Sequence, residues 1–377
     1  MFNIIIICLA SLLSYMSKEI IYPILPIYFT LTLGLSPIII GLIQGLTKAF
    51  ASITKFYSGF YSDQKQSRKK LIILGYLGMF GQNILLLFMN NPFGILFATF
   101  LDRFGLAIKT APQDTTLASV SPNNKHALVI GFKKTLDKLG ASIGIIIAAF
   151  LLFSVNFKSI FLIASIPAFF SVILVFLIKQ RRLRKIVKIS LKDFNSNVQL
   201  YFGLVFLSTI GNSTKVFLLL RVAHMGFSSQ EVIFLYLVTT LTTCLVSIPI
   251  GNLVDKINAK NKLIATAYLI FGLAYFILFA TNQDFLIIFA FILHGIFIAL
   301  ISISAKAFIL DNINPKMIAT GIGINECLVG LGSLPATIIA SSLWSIFSPD
   351  ISFLFSAIIA FLSSFIAFKY LKNNHLS

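Results

Sequence analysis

Acidic residues are scarce in this chain: 12 Asp and Glu stand against 30 Lys and Arg, and charged residues fill only 11% of the 377 positions while hydrophobic ones fill 58%. One water-soluble core cannot bury that much apolar surface, so lipid must act as solvent. Regular alternation of polar and apolar residues is missing too, which excludes a transmembrane barrel. Cysteine is rare: Cys8, Cys244 and Cys327 lie far apart inside hydrophobic stretches, with neither paired nor metal-ligand spacing, so no disulfide and no metal site is indicated. Long polar connections are lacking. The loops are too short for a catalytic domain and hold no paired carboxylates, nucleophile elbow or phosphate-binding glycine loop, so no catalytic residue and no cofactor is expected and the chain does not read as an enzyme. The first sixteen residues have neither a basic n-region nor a small-residue cleavage site, and the apolar run passes beyond Tyr22, which reads as an uncleaved first helix.

What is present is a series of hydrocarbon-length apolar stretches, each long enough to cross a bilayer as a helix of about 20 residues. They run over 2–32, 37–61, 71–90, 92–118, 126–154 and 158–178, and then over 198–222, 230–254, 262–281, 284–310, 316–347 and 350–370. The chain therefore divides into an N-terminal six-helix bundle, 1–178, a basic linker, 179–197, and a C-terminal six-helix bundle, 198–377. A net charge of +18 would suggest nucleic acid for a soluble protein, but here most basic residues sit in short connections and set orientation instead. Lys65, Arg68, Lys69 and Lys70, the linker cluster from Lys179 to Lys192, and Lys256, Lys260 and Lys262 all fall on one side. That imbalance places both termini and the linker in the cytoplasm, with the lipid bilayer as partner and no nucleic acid.

A repeat runs through the chain. Gly59-Phe-Tyr-Ser-Asp63 with Arg68 and Lys70 returns as Gly251-Asn-Leu-Val-Asp255 with Lys260 and Lys262, 192 positions later. The same shift carries Gly131 onto Gly323 and Gly140 onto Gly332. Such a duplication predicts two pseudo-symmetric halves around a central cavity, the geometry of alternating access, in a self-contained monomer.

The G-x-x-x-D segment followed by basic residues, after the second helix of each half, resembles the loop signature of the major facilitator superfamily. Glu19-Ile-Ile-Tyr-Pro23-Ile-Leu-Pro26, Leu101-Asp102-Arg103-Phe-Gly105 running to Thr110-Ala-Pro112-Gln-Asp114, Phe217-Leu-Leu-Leu-Arg221 and the stretch from Gly321 through Pro335 to Trp344 are similar to a prokaryotic drug- or metabolite-transporter branch of it. The resemblance implies an all-α fold of 12 transmembrane helices and a secondary transporter in the cell membrane. Relatives tend to carry acidic residues where this chain has Gln44 and Lys48, and Ser302 and Ala305; antiporters of the superfamily often have a Gly-Pro pair in the fifth helix, where Gly144 is followed here by Ile145. The expected cavity is thus more basic, and efflux and uptake both stay open.

An ion near the bilayer midplane is costly unless paired or wet, so each one is a functional candidate. Glu19, ahead of Pro23 and Pro26, is the first choice for a proton-titrating carboxylate. Asp102 and Arg103 in the fourth helix and Asp137 and Lys138 in the fifth are expected to form one network, with Glu326 as a second titratable site or gate partner. Asp114, Lys133 and Lys134 read as gate or loop contacts. Lys48, Lys215, Arg221 and His294 are cavity candidates for an anionic cargo, whereas Lys55 and Lys306 are expected to snorkel to the interfaces. Gly59, Asp63, Arg68, Lys70, Gly251, Asp255 and Lys260 form the expected cytoplasmic gate, with Asp63 facing a helix N-terminus. The function expected is transport of a small-molecule substrate, driven by protons, in the sense of drug or metabolite efflux, with uptake of an anionic metabolite as the alternative on the same fold. A membrane-embedded transferase is the alternative from another class.

Overall fold

The computed structural model describes residues 2–22, 25, 37–65, 68–89, 91–122, 125–179, 194–212 and 215–371. Most of the linker, Pro23 and Pro26 lie outside the described residues. The described chain is helical in thirteen segments. In the first half these are α1 (Phe2–Ile21), α2 (Pro37–Lys65), α3 (Arg68–Phe88), α4 (Pro92–Val120), α5 (His126–Ser154) and α6 (Phe157–Phe176). In the second they are α7 (Ser196–Gly211), α8 (Lys215–His224), α9 (Ser229–Lys256), α10 (Lys260–Ala280), α11 (Asp284–Asn312), α12 (Ile318–Ile346) and α13 (Pro349–Tyr370).

Eleven of the twelve expected stretches each hold one of these helices. The stretch 198–222 does not stay whole. α7 stops at Gly211, the Asn212 cap leaves helical backbone at φ −92° and ψ 83°, and α8 begins at Lys215. Elsewhere the ends follow capping chemistry. Asn91, Asn156 and Asn195 each accept a backbone N–H at the start of α4, α6 and α7. Ser228 and Glu231 close a capping box on α9, and the Ser228 N–H holds the Glu231 carboxyl below its ordinary range.

Among the described residues, eight helices are long and apolar enough to cross a membrane by length and composition alone. Those outside that set include α4, which carries Asp102, Arg103, Lys109 and Asp114, and α5, which carries Lys133, Lys134, Asp137 and Lys138. The helices that lose hydropathy are therefore the ones that hold ions.

The chain forms two compact units. Unit 1 comprises 1–123, 132–189 and 316–327; unit 2 comprises 124–131, 190–315 and 328–377. Within unit 1, α3 packs on α4 and α6, α1 on α6, and α2 on α4. Within unit 2, α10 packs on α11 and α13, α7 on α13, and α9 on α11. These are the same four pairings displaced by half the chain, so the repeat read from motif spacing is also a repeat of packing.

Small residues make the closest crossings. Gly105 of α4 lies so near α3 that a Cβ there would meet the Gly75 carbonyl at 2.5 Å and the Met79 nitrogen at 3.0 Å. Gly203 has nothing within 4 Å of such a Cβ. Gly105→Val is expected to cost about 1–3 kcal/mol by overpacking and to lower the melting temperature in detergent, while Gly203→Ala leaves it unchanged. Equal melting of the two variants would contradict the α3–α4 contact.

Candidate functional site

Asp63 ends its helix on the first turn of another. Its Oδ2 accepts the Thr320 backbone N–H at 2.7 Å and the Thr320 hydroxyl at 2.9 Å, and Arg68 Nη2 stands 3.7 Å from Oδ1. The preceding turn of helix makes this approach possible, because a Cβ on Gly59 would strike the Ala319 carbonyl and would come within 3.3 Å of the Gly323 Cα. In unit 2 the same construction recurs. Asp255 accepts the backbone N–H of Ala127 at 2.8 Å and of Leu128 at 2.7 Å, at the start of α5. A Cβ on Gly251 would meet the Ala127 carbonyl at 2.7 Å, and one on Gly131 would come within 3.3 Å of the Gly251 Cα. Both carboxylates thus neutralise the positive end of a helix dipole and satisfy N–H groups that have no partner inside their own helix.

The basic residues of the two copies differ. Arg68 goes to Asp63, whereas Lys260, at the matching position, is buried and donates to the carbonyls of Val254 and Ile257, closing the C-terminus of α9. Lys70 is exposed. Lys69 donates to the Phe176 carbonyl at 2.8 Å.

Inside unit 1 a buried polar network joins α1, α3, α4 and α5. Lys133 Nζ lies 3.0 Å from Asp137 Oδ2 and 3.8 Å from Asp114 Oδ1. The Ser11 hydroxyl donates to Asp137. Lys109, only 2% exposed, donates to the Ser14 hydroxyl at 3.1 Å and sits 3.6 Å from the centroid of the Tyr76 ring, and Gln113 donates to the Tyr76 hydroxyl at 3.3 Å. Asn83 reaches the Ser17 hydroxyl at 2.8 Å. The expected grouping of Asp137 with Asp102 and Arg103 is therefore corrected: Asp137 pairs with Lys133, one turn back on its own helix, and through it meets Asp114. Asp102 lies about three turns from Asp114 along α4 and takes no part in these two ion pairs. Arg103 instead stacks its guanidinium 5.6 Å from the Tyr22 ring.

Glu19 is 8% exposed near the end of α1, and among the described residues its Oε2 has no hydrogen-bond partner. Gly140 and Gly144 of α5 bring it inward. A Cβ on Gly140 would strike the Leu12 carbonyl, and one on Gly144 would lie 3.1 Å from the Glu19 Cβ. Shifted by half the chain, Glu19 falls on Gly211, where α7 stops. α1 itself runs unbroken through Glu19 to Ile21.

The remaining candidates divide. Lys55, expected to snorkel, instead pairs with Glu326 at 3.0 Å, so α2 and α12 are joined by an ion pair about two turns beyond Asp63. Arg221 is 6% exposed, paired with Asp350 in the first turn of α13, 3.4 Å from the Leu278 carbonyl and 3.5 Å from Asn282 Oδ1. That arrangement fastens helix ends. His294 is buried among the rings of Phe271, Tyr275 and Phe297. The side chains of Lys48 and Lys215 lie outside the described residues.

The sequence profile of the Major Facilitator Superfamily matches residues 7–219 and again residues 200–376. This chain belongs to that superfamily. It is 30% identical over 375 residues to an uncharacterized MFS-type transporter of Methanocaldococcus jannaschii, an alignment covering 96% of this chain and 93% of the relative. Its fold is similar to that of the human organic anion transporter MFSD10, with TM-score 0.82 at 14% identity over 97% of this chain and 99% of that one. It is similar also to the E. coli fucose:proton symporter FucP, with TM-score 0.77 at 14% identity over 98% of each. At such identities the likeness to solved structures is one of fold.

For this major facilitator superfamily transporter, the residues that sequence reasoning missed are Lys109 and Asp350. Lys109 sits within the apolar stretch 92–118 and was as legible there as Asp102. Asp350 lies at the very start of a stretch, where an acidic residue passes for a helix cap. Asp63→Asn and Asp255→Asn are each expected to slow transport about tenfold, the loss of roughly 1–2 kcal/mol of charge-assisted hydrogen bonding, with cargo affinity changed by less than about twofold. Initial rates and binding measured on the same proteoliposome preparations check this, and a defect confined to binding contradicts it.

Proposed function

We propose that this transporter is a proton-coupled secondary carrier that moves a small solute by alternating access. The observation that carries the reading is Glu19, a buried carboxylate with one oxygen unpartnered among the described residues, on the helix that matches the interrupted α7 of the other half. Binding a proton there replaces a bare ion by a neutral acid, so the site can be loaded on one side of the membrane and emptied on the other. The buried cluster of Lys133, Asp114 and Asp137 is already self-compensating, and serves to hold α4 and α5 in register while Glu19 changes charge.

Gating falls to the two carboxylates on helix N-termini. Asp63 and Asp255 hold their partners only through hydrogen bonds to a first turn and through glycine contacts, an arrangement that can break and reform without unpacking a core. The Lys55–Glu326 pair adds a second tie beside Asp63. The positive-inside pattern supports a cytoplasmic location for both termini and the linker, in the cell membrane, and the duplicated halves within one chain support a monomer.

Direction follows from the charge of the cargo. A cationic cargo competes with the proton for the carboxylate and gives exchange, the efflux mode. An anionic cargo is drawn in beside the proton and gives cotransport, the uptake mode. In proteoliposomes under an imposed pH gradient, Glu19→Gln is expected to abolish gradient-driven flux of cargo while the protein stays folded. Undiminished gradient-driven flux in that variant would remove Glu19 from the mechanism.

A further inference from the structure

Arg103 stands near the middle of α4, and it is only partly buried. Its guanidinium lies 5.6 Å from the centroid of Tyr22, in the turn that closes α1, and Lys18 Nζ lies 6.0 Å from the same ring. Two cations approach one aromatic ring. The ion pairs among the described residues engage Lys55, Arg68, Lys133 and Arg221, and Arg103 is in none of them. A guanidinium at this depth is costly against lipid, and its partial exposure leaves room for a polar group to meet it. Tyr22 is 37% exposed, so its ring does not close off the site. Phe100, one turn earlier on α4, lies tilted with its ring centroid 4.6 Å from that of Phe50 of α2, an apolar pair one turn from the charge.

Resting on the transporter reading above, we infer that Arg103, with Lys18 beside it, binds the carboxylate of the cargo, and that the cargo is a small organic anion with an apolar or aromatic body. The chemistry matches the parts. A planar guanidinium offers paired donors to both oxygens of a carboxylate, and the ring of Tyr22 keeps that plane fixed. The second cation strengthens the field without needing to touch the anion, and the phenylalanine pair takes the hydrocarbon part. A purely structural Arg103, one that only clamps α1 through Tyr22, would need no ligand and would show no preference for carboxylates.

The full chain purified in detergent is titrated with benzoate, 2-naphthoate and octanoate, with benzamide and benzylammonium as controls, and melting is followed. The carboxylates are expected to raise the melting temperature in a dose-dependent way and the two controls are not. Arg103→Gln is expected to weaken the carboxylate response at least about tenfold, the loss of one bidentate charge-assisted contact, and Arg103→Lys to fall between. Should Arg103→Gln fail to fold, Tyr22→Leu, which frees the guanidinium plane, is expected to weaken the response about threefold while leaving a cooperative melt. Absence of any carboxylate response in the unmutated protein, or the same response in every variant, overturns the assignment. No gradient is applied, so a failure here leaves proton coupling at Glu19 standing, and a failure of the Glu19→Gln flux experiment leaves the anion site standing.

Discussion

An ion inside hydrocarbon must find a partner, a helix end or water, and most of what is specific about this protein is an answer to that requirement. The cluster of Lys133, Asp137 and Asp114 is an internal answer, in which the charges meet each other and the Ser11 hydroxyl supplies a further hydrogen bond. Asp63 and Asp255 give a second answer, since each spends its charge on backbone N–H groups at the first turn of another helix. Lys109 gives a third, over the face of Tyr76. Arg103 gives the same kind of answer over Tyr22, and Glu19 keeps one carboxylate oxygen without a partner among the described residues.

Element positions were legible in the sequence because a bilayer enforces them. Helices of hydrocarbon length and short connections leave little freedom, and the stretches 126–154 and 92–118 correspond to α5 and α4 with hardly any change at their ends. The contact of Asp63 with a helix N-terminus was legible too, because G-x-x-x-D occurs twice at a fixed spacing and a carboxylate at that place has few partners other than a helix end. Pair assignments were less legible. Lys133 stands one turn from Asp137 on the same helix and could have been read from spacing, but whether Arg103 also meets Asp137 depends on helix rotation, which a single sequence does not encode. The break after Gly211 was hidden for a related reason: Gly-Asn inside an apolar stretch is tolerated in many intact helices, and only the neighbouring packing decides.

The two copies of the G-x-x-x-D contact have diverged in their charges while keeping their backbone geometry. Asp63 and Asp255 hold equivalent first turns, and the same half-chain shift relates Ala319 and Thr320 to Ala127 and Leu128. Yet Arg68 pairs with its aspartate while Lys260 closes a helix C-terminus, and the positions matching Lys55 and Glu326 are Ser247 and Lys134. Electrostatic ties are therefore heavier on the α2–α12 contact of unit 1 than on the α9–α5 contact of unit 2. Screening by salt acts on exposed or half-buried ion pairs far more than on bonds to buried backbone, so the two contacts differ in how they respond to ionic strength.

The glycine crossings have a mechanical corollary. Where Gly59 meets Gly323, and Gly251 meets Gly131, the touching surfaces carry no side chains. Interlocked side chains would act as gear teeth, and sliding past them would require each to leave its rotamer. Smooth backbone against smooth backbone behaves as a journal bearing: one helix can swivel on another through small angles with almost nothing to disengage, and the aspartate at its rim sets where the swivel stops.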